Sequence, residues 1–476
     1  MYYEKSKNSI YFDKNQLEMI SLEQLVPEDH LLRKIENAID FDFIYDLTKE
    51  YYSDFGRPCL DTVTLFKIVF LNYFYGKNSI RATIEETKVN MAFRWFLNLS
   101  LTGKVPNYST FSQNYIRRYK DTDVFEKIFS TVITKLLKLN LIDTSAIFVD
   151  GTHIKANANK NKRIKKQVKI VADKYQKELQ EEIDEFREYN GRDKYNDKDD
   201  DNPNNFTVDE HTGEIVRKVK TKSITVSKTD SEAGMFMKGE HERMFAYVDQ
   251  VACDRNGWII AFDSNPGNMH DSKAFLPFFY KHLTPFKPRD IIADAAYGTN
   301  LIIKKVQYEG IRLIVPYIRP KGKRTEFNKS NFTYQMEIDA YQCPNKKILE
   351  PMNITRNGDI QYQRTKKECS GCPFIKECMK NYNNKTIRRH IYEDCKELAR
   401  EHRLSPEGKE LYKQRKETIE RNFGEGKERH GLRYTRYKGL KKNRDYRSLL
   451  YACMNIKKLA LLLDKRVSKV SSLQLT

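Results

Sequence analysis

Apolar positions along the chain recur at two periods, and the change of period divides it. From about residue 17 to 135 they fall three and four apart, as in "LLRKIENAI" (31–39) and "TVTLFKIVFLNYFYG" (62–76), which predicts helices. Pro27, "FGRP" (55–58) and "TGKVPNYS" (102–109) break that region. Thr110 and Gln113 then form a capping box for "FSQNYIRRYK" (111–120), whose end carries Arg117, Arg118 and Lys120. "AIFVD" (146–150) reads as a buried strand. Beyond 243, "RMFAYVDQVAC" and "GWIIAFDSN" are strands joined by the hairpin signal "DRNG" (254–257). A helix over 272–283 with Asp271 as N-cap, a strand over 289–294, a helix over 299–310 closed by Gly310, and a strand over 311–316 follow. That succession predicts a mixed α/β sheet.

Two stretches depart from this order. Residues 156–222 read as an insertion: a lysine-rich start, then Val171, Tyr175, Leu179 and Ile183 four apart on one amphipathic helix, then the exposed or disordered "DKYNDKDDDNPNN" (193–205). Residues 317–400 show little periodicity and hold five of the eight cysteines. A helix over 405–431 and a basic tail end the chain.

The charge changes the picture of partners. There are 85 Lys+Arg against 65 Asp+Glu, a formal charge of +20, with 12% aromatic residues. Such a balance suits a nucleic-acid binder, whose cations displace counterions from phosphates; a solvated basic surface is the plainer alternative. The basic ends of the N-terminal helices make that region a candidate DNA-binding module, and solvated helix faces are again the plain reading. The longest apolar patch, from Leu65, is too short to span a membrane and contains Lys67. "MYYEKSKNSIYF" has no signal-peptide core. The expected location is therefore the cytoplasm, beside the nucleoid, where thiols stay reduced.

Two apolar strands end in aspartate, at Asp150 and Asp294. Ligands of α/β sheets gather at such strand ends. A carboxylate pair there suits two hard cations, Mg2+ or Mn2+, about 4 Å apart, as used in in-line phosphoryl displacement. The lysines after Asp150, beginning with Lys155, suggest a polyanion. A third carboxylate is needed. On the last helix Tyr412, Lys416 and Glu420 stand four apart on one face, with Lys427 seven further on if the helix survives Gly424 and Gly426. A solvated charged face fits the same spacing.

These blocks resemble the DDE transposases of bacterial insertion sequences, in particular the branch marked by Tyr-x2-Arg-x3-Glu-x6-Lys. "IFVDGTHIKANANK", the stretch from "GEHERMFAYVDQ" to "NMHDSKAF", "IIADAAYGT", "IRLIVPYIRP" and "KETIERNFGEGKERHGLRY" resemble its core blocks in order. "SLEQLVPEDHLLRKIENAID", "FGRPCLDTVTLFKIVFL" and "VPNYSTFSQ" resemble its helical N-terminal region. The resemblance implies an RNase H-like sheet with Asp150, Asp294 and Glu420 as catalytic metal-holding acids. It implies Tyr412, Arg415, Lys416 and Lys427 at the DNA. One departure is plain: Arg415 lies one residue too far from Glu420, and Lys416 stands in the arginine position. Either Lys416 replaces that arginine or Arg415 reaches from a shifted turn. Glu417 is the rival third acid, without the six-residue spacing to Lys427.

Cys369, Cys372 and Cys378 form C-x2-C-x5-C, and Cys343 lies upstream. Four thiolates suit a structural tetrahedral Zn2+. Reduced thiols without metal and an Fe–S cluster are alternatives, and Cys395 or His390 are substitute ligands. Cys59, Cys253 and Cys453 read as core residues, as does Trp258; His270-Asp271 reads as a helix cap or a support of the metal site.

The expected architecture is thus α/β: an RNase H-like mixed sheet with flanking helices, an all-α N-terminal domain (1–135) and two insertions (156–222 and 321–400). The catalytic core is discontinuous, over 140–155, 223–320 and 401–465. The resemblance implies metal-dependent cleavage at terminal inverted repeats and transfer of the freed 3′-OH into target DNA, by a homodimer on paired ends. A nuclease without strand transfer, and an inactive DNA-binding copy, are the alternatives.

Overall fold

The computed structural model describes residues 17–473 apart from 54, 56–58, 78, 170–173, 190, 192, 195–205, 209–214, 218–220, 239–241, 317–325, 356 and 381. The chain forms two compact units. One joins the chain up to 139 with 424–436 and 441–476; the other joins 140–423 with 437–440.

The first unit is helical. Its axis is the helix Thr62–Phe74, in which every residue is buried, as an all-round apolar sequence requires. Lys67 is buried there in an ion pair with Glu36, its ammonium over the rings of Phe41 (5.1 Å) and Phe96 (4.7 Å). The helix Tyr108–Asn114 starts earlier than the Thr110/Gln113 box predicts. Asn107 caps it, accepting from the Ser109 N–H at 2.9 Å; extended backbone after Pro106 sets an equally good capping side chain first. A π turn, Tyr115–Tyr119, carries Arg117 and Arg118.

The long helix Leu440–Leu473 packs mainly with this unit, although the sequence expectation placed 401–465 in the catalytic core. Its buried stripe includes Leu449, Cys453 and Ile456. Asp445 accepts the Tyr115 hydroxyl at 2.8 Å, and Lys457 donates to the Phe74 carbonyl at 3.3 Å.

The second unit is built on a mixed sheet of eight strands among the described residues. They are β1 (Ala146–Lys155), β2 (Arg163–Lys169), β3 (Thr221–Ser227), β4 (Gly234–Lys238), β5 (Glu242–Cys253), β6 (Ile259–Pro266), β7 (Asp290–Ile292) and β8 (Arg312–Ile314). The order is β8-β7-β1-β5-β4-β3-β2, with β6 paired to β5. β6, β5 and β1 run antiparallel in turn; β7 and β8 run parallel to β1. The predicted hairpin is β5–β6. Asp254 accepts from the Trp258 N–H at 2.6 Å, Gly257 takes a left-handed φ of 76°, and Trp258 is core.

The insertion 156–222 is not only helix and loop. Residues 163–169 form an end strand of the sheet, paired with β3. Its lysines hide the alternation that would reveal a strand, and lysine is common on exposed edges. The predicted amphipathic helix runs Lys174–Tyr189. Val171 and most of the 193–205 loop lie outside the described residues.

Residues 333–390 form a five-stranded antiparallel sheet, where periodicity alone indicated little order. Ile183, Leu179 and Phe186 of the insertion helix pack on its core with Phe332, Tyr341 and Tyr362. The two insertions therefore share one core. No described helix is long and apolar enough to cross a membrane.

Candidate active site

β1 and β7 are parallel neighbours in which Phe148 faces Ile292. Asp150 lies two residues past Phe148, and Asp294 two past Ile292 with extended backbone (φ −82°, ψ −179°). Asp150 thus continues its strand and Asp294 follows the end of the neighbouring one, and the charge of Asp294 is felt at Asp150. Asp294 is held by the Ala296 N–H at 2.6 Å, as N-cap of a short 3-10 turn. Asp150 accepts from the Gly151 N–H at 2.8 Å through Oδ1.

Its other oxygen, Oδ2, accepts from Arg415 Nη2 at 2.5 Å. The Arg415 side chain is only 8% exposed, and its Nη1 stands 3.9 Å from Glu420 Oε1. Arg415 therefore links Asp150 to Glu420. The register that permits this is a π turn, Lys416–Glu420, in which the Glu420 N–H donates to the Arg415 carbonyl at 3.2 Å, five residues back. A π turn absorbs one extra residue. Arg415, five residues before Glu420, is buried against Asp150, while Lys416 is exposed. The single stripe of Tyr412, Lys416 and Glu420 expected of a regular α-helix is broken there. Glu417 is exposed.

A further carboxylate belongs to this neighbourhood. Asp271 opens the helix Asp271–Phe278; its N-cap is His270, whose Nδ1 accepts from the Ser272 N–H at 3.3 Å, rather than Asp271 as expected. Asp271 accepts from Gln250 Nε2 at 2.9 Å, and the buried Tyr297 donates to Gln250 Oε1 at 3.1 Å. A Cβ on Gly151 would stand 2.7 Å from Asp271 Oδ1, so that glycine leaves room for the carboxylate.

The acids interact. Burial, then the charges of Asp294 and Asp271, push the Asp150 carboxyl up to about 6 against the opposing pull of Arg415. Burial and Asp294 also raise Asp271. Burial, with the surrounding carboxylates, holds the Tyr297 hydroxyl protonated well above its usual range. Sequence reasoning left Asp271 as a cap or support and passed over Gln250 and Tyr297. Only the pairing of Gln250 with Gly151 across β1 and β5 puts them here.

The other expected site residues are dispersed. Tyr412 is half-buried under the Arg403 guanidinium, 4.3 Å from its ring. Lys155 is exposed at the end of β1. In the helical unit, Arg117 is exposed, and the Arg118 guanidinium lies 4.5 Å over Tyr52. Lys427 is in that unit too, on a helix Arg421–Arg429 that runs through both glycines. Cys343, Cys369, Cys372 and Cys378 line one cavity in the five-stranded sheet region. Cys253 and Cys453 are buried as expected, but Cys59 is exposed, because it precedes the core helix Thr62–Phe74 rather than lying in it. Among the described residues no group of three His, Cys, Asp or Glu side chains stands arranged to hold a metal ion.

Two family models match the chain. Residues 20–117 match one described as a transposase domain, and residues 342–460 match one described as a transposase DDE domain. Together they indicate an insertion-sequence transposase family, with a DDE domain characteristic of a DNA transposase. The second match includes Glu420 and Arg415; Asp150 and Asp294 lie outside both. No curated protein and no solved structure matches the chain.

Proposed function

We propose that the chain is a DDE transposase of the Tyr-Arg-Glu-Lys branch that cuts the ends of an insertion sequence and joins them to target DNA. The observation that carries this reading is Asp150 on β1 and Asp294 just past the end of the parallel neighbour β7, with Glu420 tied to Asp150 through Arg415. The strand order β6-β5-β1-β7-β8, three antiparallel then two parallel, supports an RNase H-like core.

The donor set fits hard cations: clustered carboxylate oxygens, one of them resisting ionisation. Asp150, Asp294 and Glu420 would hold Mg2+ or Mn2+. When bound, a pair of such ions supplies an activated water and a stabilised leaving oxygen for in-line displacement at phosphorus. Asp294 is held by its helical turn and Asp150 by β1 and the Gly151 N–H, while Arg415 would have to leave Asp150 for an ion to take its place. Arg415 holds the Asp150 charge until the site is loaded, and is then available to a DNA phosphate in the bidentate manner of a guanidinium. Lys155, Lys416 and Lys427, with Tyr412, Arg117 and Arg118, are assigned to DNA contact, and a homodimer to paired ends.

The test is a single-turnover assay with Mg2+ on duplexes bearing the terminal inverted repeats of the element and a plasmid target. Joined products, lost in Asp150→Asn and Asp294→Asn, support the proposal. Nicks without joining would make the protein a nuclease. End binding without either would make it a DNA-binding protein.

A further inference from the structure

Four of the eight cysteines come together without serving the carboxylate site. Cys343 follows the strand Ala340–Gln342, Cys369 and Cys372 follow the strand Asp359–Thr365, and Cys378 lies in the short helix Ile375–Met379. All four line the same cavity, and all are free thiols. We propose that Cys343, Cys369, Cys372 and Cys378 form a closed tetrahedral Zn2+ site that staples the 366–383 segment to the five-stranded sheet. This proposal stands apart from the transposase reading.

The backbone around the thiols is already folded as two tight turns that aim sulfur inward. At the first, the Cys343 carbonyl accepts from Lys346 N–H at 2.8 Å, Lys346 takes a left-handed φ of 57°, and the Lys347 N–H donates to Cys343 Sγ at 3.3 Å. At the second, the Cys369 carbonyl accepts from Cys372 N–H at 3.1 Å, with Gly371 left-handed at φ 79°. Asn345 of the first turn donates its Nδ2 to Cys372 Sγ of the second at 3.4 Å. Both contacts bring a polar hydrogen to a sulfur of the cluster, as the outer hydrogen bonds of a ligating thiolate do.

Charge points the same way. A Zn2+ with four thiolates carries net −2, and burying it requires nearby cations. Lys347, Arg364 and Lys385 line the cavity. The last two are anchored by backbone carbonyls: Arg364 Nη1 donates to Ile348 and Lys385 Nζ to Phe327, both at 2.7 Å. Sulfur donors in a C-x2-C turn select zinc over the hard cations of the carboxylate site. The substitute ligands considered from sequence are engaged elsewhere. His390 Nδ1 accepts from Tyr392 N–H at 3.0 Å, and Cys395 does not line the cavity. The thiols do not stand at ligand spacing, so the proposed site requires the four cysteine side chains to close on the ion.

The experiment is elemental analysis of the full chain purified without chelator, followed by Co2+ exchange. The expected result is one equivalent of zinc per chain, and after exchange the visible absorption of tetrahedral Co2+ on thiolates. Both are lost in Cys372→Ser and kept in Cys59→Ser and Cys395→Ser. Wild-type protein without stoichiometric metal overturns the proposal, whether or not Cys372→Ser folds. So does iron with its own visible absorption, or retention of zinc in a folded Cys372→Ser.

Discussion

Arg415 places Nη2 2.5 Å from Asp150 Oδ2, across 265 residues of sequence. The same guanidinium stands 3.9 Å from Glu420, so one cation bridges a strand and a helical turn that each contribute an acid. One guanidinium thus balances the negative charge of two carboxylates from within the chain.

Removing that cation leaves Asp150 beside Asp294 and Asp271 with no counter-charge. Arg415→Ala is expected to destabilise the protein by roughly 2 kcal/mol, less than for a fully buried pair because Asp150 keeps some exposure. Denaturant unfolding measures it. Asp150→Asn in the same background should recover much of the loss, since it removes the group left unpaired.

The π turn makes a second prediction. Deleting Lys416 turns the five-residue step from Arg415 to Glu420 into a four-residue α-helical step and keeps both side chains on one face. DNA cleavage is expected within tenfold of wild type, and the helix more stable. Deleting Asn422, beyond the turn, shifts Lys427 against Glu420 and is expected to abolish joining. Comparable loss in both deletions would show that the π turn does not set the register.

The Asp150 carboxyl, at about 6 in place of 3.8, gives a pH signature. The folded state holds this proton more tightly than the unfolded chain. The group's contribution to stability is therefore full below its ordinary value and is lost as pH rises through the folded value. Divalent ions need the ionised form. A Mn2+-induced rise in melting temperature should be absent near ~pH 5 and present near ~pH 7.5. Asp150→Asn should remove the rise at both.

Gly151 tests the fourth acid. A Cβ there meets Asp271 Oδ1 at 2.7 Å, and Gln250 holds that carboxylate in place. Gly151→Ala is expected to destabilise by about 1–3 kcal/mol, as overpacking does, and to slow cleavage by displacing Asp271 toward Asp294. Thermal melts and cleavage rates measured together check it.

Parts of the candidate site were legible where a local pattern coincides with it. A buried strand ending in aspartate is visible as an apolar run, so Asp150 and Asp294 stand out, and C-x2-C shows the thiols. What stayed hidden depends on pairing between distant segments. Asp271 becomes part of the acidic group only through Gln250 on β5. Arg415 is legible as a spacing anomaly, but its partner Asp150 lies on another element. Lysines mask β2 because an exposed edge tolerates charge, and the two insertions share a core that neither sequence stretch announces alone. The capping errors, Asn107 for Thr110 and His270 for Asp271, come from adjacent residues that are all competent caps.

The central claim is that Asp150, Asp294 and Glu420 hold the cations for DNA chemistry, and anomalous scattering from crystals of the full chain grown with Mn2+ tests it most directly. The account predicts a peak between the Asp150 and Asp294 carboxylates, with Arg415 turned away from Asp150. Mn2+ absent from that place while the Arg415–Asp150 pair stays closed would contradict it.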